Sequence, residues 1–195
     1  MKSPNADPHF PPRPTALVQQ FLRAVIQPGD LVIDATAGNG HDTLFLAECV
    51  GGGGKVLAFD VQEAALVSAR QRIETTGLAG QVVFSQESHE RMDLHADEDS
   101  VAAIMFNLGY LPGEHHDLTT EADTTLRALE VAARILKSGG YLTVVCYPGH
   151  TAGEVEALAV EEWMTARAAD RWRVAKYGAI GTKKPAPFLI VARKG

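Results

Sequence analysis

The strongest chemical signal in the chain is the run Asp34-Ala35-Thr-Ala-Gly38-Asn39-Gly40-His-Asp42-Thr43, preceded by apolar Leu31-Val32-Ile33 and followed by Leu44-Phe45-Leu46-Ala47. A buried strand that breaks into a glycine loop and restarts as a helix is the geometry of a nucleotide-cofactor loop. Gly38 and Gly40 let the backbone pass close to a ligand, but no third glycine stands at position 43. A dinucleotide loop wants G-x-G-x-x-G and no carboxylate against the diphosphate. Asp34 would repel a diphosphate and attract a cation, such as the ammonium at the methionine end of S-adenosylmethionine. The loop therefore reads as a methyl-donor site.

A second mark follows one strand-helix unit later, where Lys55-Val-Leu-Ala-Phe59 ends in Asp60-Val61-Gln62. An acid at the tip of the second strand can accept both hydroxyls of a ribose. It can also simply cap the next helix. The spacing from the Asp34 loop favours the ribose.

Asn107-Leu108-Gly109-Tyr110 marks the acceptor side. It looks like a proline-free variant of the D/N-P-P-Y/F sequence with which amino-methyltransferases hold the nitrogen they methylate. An amine that attacks a sulfonium methyl needs its N–H groups held by carbonyl acceptors, with its lone pair on the methyl–sulfur line. Asn107 offers a side-chain carbonyl, and Tyr110 could stack on a base or shield the sulfonium. Without the prolines, a flexible aliphatic amine suits the site better than a base-ring amine. The plainer alternative is a turn residue at 107 and a core aromatic at 110.

These residues need a scaffold. Helices are expected over 15–26, 42–50, 62–76, 119–136 and 151–168, and strands over 31–34, 55–59, 81–85, 101–106, 141–146, 172–177 and 188–193. Gly77 and Gly139-Gly140 serve as helix stops. Strands separated by helices imply parallel pairing with helices on both faces, and only a loop joins the last two strands, so they can form an antiparallel pair. The expectation is an α/β, doubly wound, Rossmann-like sheet of seven mostly parallel strands with an antiparallel edge hairpin. Asp34, Asp60, Asn107 and Tyr147 then fall at carboxyl ends of strands, where such sheets bind ligands. A Pro-rich arm (1–14) precedes a single domain (15–195).

The chain has 195 residues, 46% of them hydrophobic, enough for one full core. It shows no basic-then-apolar leader and no run long enough to span a bilayer, which suggests a cytoplasmic location. Cys49 and Cys146 read as reduced core residues. The seven histidines never join Cys or Glu at zinc-ligand spacing, so no metal is indicated. The net charge of −6 is unevenly placed. From position 163 on, eight cations (Arg167, Arg171, Arg173, Lys176, Lys183, Lys184, Arg193, Lys194) face one acid, Asp170, a net of +7 that leaves −13 on the rest. That edge could hold a polyanion or be a solvated rim.

Taken together, Asp34–Thr43, Ala58-Phe-Asp-Val-Gln62, Ser88-His89, Phe106-Asn-Leu-Gly-Tyr-Leu-Pro-Gly113 and Tyr147-Pro-Gly-His150 with Gly153 resemble the YtqB-type putative rRNA methylase family. Its characterised MnmM members are class I S-adenosylmethionine-dependent methyltransferases that convert 5-aminomethyl-2-thiouridine at the tRNA wobble position to its methylaminomethyl form. The resemblance implies a tRNA partner, an aliphatic amine acceptor and a homodimer. It implies that Asp34, Ala35, Gly38, Asn39, Gly40, Asp42 and Thr43 line the methionine end of the cofactor. Asp60, Val61 and Gln62 would hold ribose and adenine, with Ser88 and His89 beside the adenine. Asn107 would touch both cofactor and acceptor, and Leu108, Gly109, Tyr110, Tyr147, His150 and His116 would face the acceptor. The family's Asn-Gln pair near the end is replaced here by Ile180-Gly-Thr-Lys-Lys184, which bears on the substrate. An alkylamine must lose a proton before it attacks, and His150, His116 and Tyr147 are candidates to take it. A small-molecule or protein methyltransferase and a non-catalytic cofactor-binding subunit are the competing readings.

Overall fold

The apolar runs at 31–34, 55–59, 101–106, 141–146 and 188–193 all lie in strands, and the helices between the first five strands make their neighbours parallel. The computed structural model describes residues 12–109 and 122–195. Elements follow in the order α1 (Pro14–Val25), β1 (Leu31–Asp34), α2 (His41–Val50), β2 (Lys55–Phe59), α3 (Glu63–Glu74), β3 (Val82–Ser85), β4 (Val101–Leu108), α4 (Ala122–Ile135), β5 (Leu136–Cys146), α5 (Thr151–Ala169), β6 (Arg173–Gly178) and β7 (Phe188–Arg193). The sheet order is β3-β2-β1-β4-β5-β7-β6. Only β7 runs against its neighbours β5 and β6.

Strand alternation decides what each helix layer covers. On one face Val32, Val56, Ala103, Met105, Val145 and Leu189 pack against Val18, Leu22, Phe45 and Leu46 of α1 and α2. On the other face Ile33, Phe59, Ile104, Phe106 and Val144 pack against Leu129 and Ala132 of α4 and Val160 and Trp163 of α5. Phe59 and Phe106 are fully buried, each contributing about 2–3 kcal/mol of transfer free energy. By the same alternation Asp34, Asn107 and Tyr147 project toward the α1/α2 layer.

Several details refine or differ from the sequence expectation. β4 continues to Leu108, so Asn107 lies within the strand, in register with Val145. β5 starts at Leu136 directly after α4, and Gly139, at φ +77°, is no helix stop. Its N–H donates to the Lys194 carbonyl, and Gly140 accepts from the Lys194 N–H, so the two glycines carry the chain through an irregular strand start. The hairpin does sit at the sheet edge, but β7 is its inner member and β6 the outer one. A 3-10 helix at His89–Leu94 was not foreseen. Its short polar sequence carries no periodicity long enough to register. Among the described residues no helix is long and apolar enough to cross a membrane.

Candidate active site

β1 lies between β2 and β4, so the chain leaves it to one side and later returns on the other. The crevice at this switch point is the place where a doubly wound sheet binds its ligand, and the glycine loop sits there. Gly38 and Gly40 both have positive φ, +49° and +77°. A Cβ at Gly40 would come within 2.8 Å of the Ala69 backbone, so α3 packs directly on the loop. Arg72 of α3 donates to the Asn39 carbonyl at 2.7 Å and contacts the His41 ring, while the Asn39 side chain itself is exposed.

Asp34 is fully buried; it accepts from Thr43 Oγ1 at 2.6 Å and from the Thr36 N–H at 3.2 Å. Burial, then the nearby Asp42 charge, push its pKa up from 3.8 to about 7. A buried carboxylate this reluctant to ionise gains most from a cationic partner. Asp60 accepts from the Gly38 N–H through one oxygen and the Gln62 N–H through the other, both at 2.9 Å. It thus supports the helix start, and each oxygen keeps a second lone pair for a ribose hydroxyl. The alternatives weighed from sequence are therefore compatible.

On the β2–β3 side, His89 is buried and its Nδ1 lies 3.1 Å from the Ala35 carbonyl. A carbonyl only accepts, so Nδ1 carries the proton; burial lowers the ring's pKa and keeps it neutral, leaving Nε2 an acceptor. Among the described residues neither Nε2 nor Gln62 Oε1, both buried, has a partner. Unmet buried acceptors are costly unless a ligand or water satisfies them. Together with the ribose-ready Asp60 they suit the donors of a nucleoside, so these residues fit S-adenosylmethionine. Ser88 caps the 3-10 helix, and Val61 is largely exposed.

Asn107 closes the crevice from β4. Its N–H donates to Thr36 Oγ1 at 2.8 Å, and its Nδ2 donates to Asp42 Oδ2 at 3.2 Å. The other Asp42 oxygen accepts from Gln19 Nε2 of α1 at 2.8 Å. Because a carboxylate can only accept, Asp42 fixes which way the Asn107 amide points. Among the described residues Asn107 Oδ1 is buried and has no partner. Asp42, assigned by resemblance to the methionine end, here connects α1 to the acceptor side. Gln19 and Thr36 escaped the sequence reading, since each looks like an ordinary helix or loop polar residue.

The Tyr147 ring packs against Gly109, where a Cβ would sit 3.3 Å away. Burial first, then the Asp42 charge, raise the Tyr147 phenol, and the neighbouring Asn107 side chain offsets part of this. The phenol therefore stays neutral and can share a hydrogen bond. His150 is the N-cap of α5: its Nδ1 accepts from the Gly153 N–H at 3.1 Å, which occupies that lone pair. Tyr110 and His116 lie outside the described residues.

Residues 56–193 match the family model described as "Putative rRNA methylase". Residues 10–92, mainly the donor half, also match that of protein-L-isoaspartate(D-aspartate) O-methyltransferase. A chloroplastic tRNA (mnm(5)s(2)U34)-methyltransferase from Arabidopsis thaliana is 39% identical over 191 residues, covering 90% of this chain and 67% of the relative. The crystal structure described as a putative rRNA-methylase from Clostridium thermocellum superposes with a TM-score of 0.89 at 34% identity, covering 93% and 97% of the two chains. That of a Streptococcus mutans protein described as a putative methyltransferase, in complex with SAH, gives 0.84 at 33% identity over 93% and 98%. Sequence and fold thus agree along most of the chain's length, acceptor half included, and the chain belongs to the "Putative rRNA methylase" family of class I S-adenosylmethionine-dependent methyltransferases.

Proposed function

We propose that this methyltransferase acts on an aliphatic amine of RNA, the aminomethyl group of a modified wobble uridine in tRNA. The observation that carries this reading is Asn107 Oδ1, a buried acceptor without a partner among the described residues, on an amide whose Nδ2 is held by Asp42. A primary amine has the N–H such an acceptor needs, and the 39% identity to the Arabidopsis tRNA methyltransferase supports the RNA context.

S-adenosylmethionine supplies an electrophilic methyl on a sulfonium. The chain's own residues do the rest by positioning. An alkylammonium first gives up a proton to water as it enters the crevice, since only the neutral amine has a lone pair to attack with. Asn107 Oδ1 then accepts one of the remaining N–H groups and aims the lone pair at the methyl carbon. As the new N–C bond forms, the methyl–sulfur pair returns to sulfur and the nitrogen becomes a secondary ammonium. The Asp42 carboxylate, one amide away, stabilises that growing positive charge in a partly buried setting. Tyr147, held neutral, can share a hydrogen bond with the amine.

The test is methyl transfer to tRNA carrying 5-aminomethyl-2-thiouridine, read by nucleoside mass spectrometry. A mass gain of one methyl on that nucleoside is expected. No gain on tRNA, with transfer to a metabolite pool instead, would replace this reading with a small-molecule methyltransferase.

A further inference from the structure

A cavity of about 690 Å³ opens from the acceptor side of the crevice, and none of the donor residues line it. Its inner end is Tyr147, whose ring rests on Gly109 two residues from Asn107. One wall is the start of α1 with Arg13 and Pro14; the other is the rim end of the hairpin with Lys176, Tyr177 and Pro187. Tyr177 pairs across the sheet with Leu189 and Leu189 with Val145, one row on the α1 face, so Tyr177 points to the same side as Tyr147. The Tyr177 side is open, at 52% exposure.

The chemistry of the walls selects the occupant. An exposed aromatic ring is a stacking platform for a planar base. Arg13 at the mouth brings a cation, and among the described residues neither it nor Lys183 and Lys184 on the adjoining loop forms an ion pair. The start of α1 has no side-chain cap and no acid in its first turn, so its positive end is unopposed. The Lys176 side chain is held by Glu161 of α5 at 2.7 Å and lies over the Phe188 ring, on the sheet face opposite Tyr177, so it offers the cavity no charge. A flat base with a phosphate beside it satisfies both features, and the volume is well above what one nucleotide needs.

We propose that this cavity is a subsite for a nucleotide next to the methylated one, its base stacked on Tyr177 and its phosphate held by Arg13. The proposal rests on the RNA reading above and deepens it: the target enters at Asn107 while its neighbour in a single-stranded loop is held across Tyr147.

The test uses the full chain, Tyr177→Ala, Tyr177→Phe and Arg13→Gln, all at exposed positions that leave the fold intact. Binding of a fluorescent single-stranded RNA of about seven nucleotides is measured at several salt concentrations, beside methyl transfer to a stem-loop carrying the target nucleoside. Tyr177→Ala should weaken RNA binding about tenfold or more, with Tyr177→Phe close to wild type. Arg13→Gln should lower the logarithmic salt slope by about 0.7. Equal RNA binding in Tyr177→Ala and wild type, or no RNA binding by wild type, overturns the subsite. Wild type that binds RNA through Tyr177 yet methylates none of it overturns the proposed function and leaves the subsite standing.

Discussion

The glycine loop of the donor side and the acceptor side of the crevice are built in opposite ways, while the adenine end of the donor side, with His89 Nε2 and Gln62 Oε1 unmet among the described residues, resembles the acceptor side. Around the donor loop both oxygens of Asp34 and both oxygens of Asp60 already hold hydrogen bonds from the loop and its flanks. Gly40 is packed so closely on α3 that a methyl group would collide with it. On the acceptor side Asn107 Oδ1 has no partner among the described residues, and the cavity beyond Tyr147 is open. A cofactor of fixed shape rewards a loop that is fully set before binding. An acceptor that must be recognised and then reacted rewards groups that stay unmet until it arrives, because satisfying them favours the right substrate. The two sides should therefore respond to substitution in separable ways.

The largest separation is expected at Asn107. Asn107→Ala removes the orienting acceptor and should lower single-turnover methyl transfer by about 100-fold or more, since misplaced reactants lose most of the proximity gain. Donor affinity, measured by calorimetry, should change less than about threefold. A parallel loss of donor affinity would place Asn107 on the donor side and erase the contrast.

Asp60 should show the reverse. Asp60→Ala deletes the acceptor of the Gly38 and Gln62 N–H groups and with it the proposed ribose partner. S-adenosylmethionine affinity should fall by about 1–3 kcal/mol, while turnover at saturating donor stays within severalfold. Unchanged affinity would remove Asp60 from the donor site.

The donor side was the more legible of the two in the sequence, for a physical reason. Asp34, Gly38, Gly40 and Asp60 are fixed by local rules: an acid at a strand tip, and glycines where φ is positive. The acceptor side depends on contacts across long separations. Gln19 reaches Asp42 from a helix 23 positions away, and on α1 it is one polar residue among several. The basic tail shows the same limit. Its charges add to +7 in sequence, but the antiparallel register sends them to opposite ends of the sheet. Arg173 and Arg193 pair at the end away from the crevice, whereas Gly178 and Phe188 pair at the rim, so of the tail's cations Lys183 and Lys184 belong to the rim loop, while the Lys176 side chain lies on the α5 face with Glu161. Arg167, Lys176 and Lys194 are moreover tied to Glu130, Glu161 and Asp99. The start of strand 136–146 is not legible in the sequence, because a glycine at positive φ serves equally as a helix stop and as a strand irregularity.

Smaller effects should come from pH, again with different signs at two places. Asp34 and Glu156, the latter buried between α5 and α4 with Thr125 Oγ1 donating to it at 2.6 Å, both have pKa values raised to about 7, chiefly by burial. The folded, ligand-free chain thus keeps protons that the unfolded chain loses at its lower carboxylate pKa values. Stability from both groups is complete below about pH 4 and declines as pH rises through about 7. Glu156→Gln keeps the Thr125 bond and cannot ionise, so its stability relative to wild type should rise by about 2–3 kcal/mol between pH 5 and pH 8. At Asp34 a cationic donor end reverses the trend: the donor should bind up to about tenfold more tightly at pH 8 than at pH 6 and release protons on binding. Asp34→Asn should abolish that proton release, which calorimetry in buffers of differing ionisation enthalpy reads directly. Equal proton release in Asp34→Asn would assign the titration elsewhere.

The smallest effect tests the link between the two sides. Gln19 donates to one oxygen of Asp42, whose other oxygen holds the Asn107 amide. Gln19→Ala leaves Asn107 in place but frees Asp42 to rotate, so that Asn107 can turn its carbonyl away part of the time. A lost neutral-to-charged hydrogen bond at a partly buried site is worth about 1.5 kcal/mol. If that energy is what keeps the amide oriented, turnover should fall about three- to tenfold with donor affinity unchanged. Asp42→Asn should cost more, because an amide in place of the carboxylate no longer dictates the Asn107 orientation and no longer supplies negative charge near the reacting nitrogen. In Asp42→Asn the added loss from Gln19→Ala should nearly vanish, as expected for residues acting through one another. Fully additive losses would mean that Gln19 merely anchors α1, and the orientation of Asn107 would then rest on Asp42 and Thr36 alone.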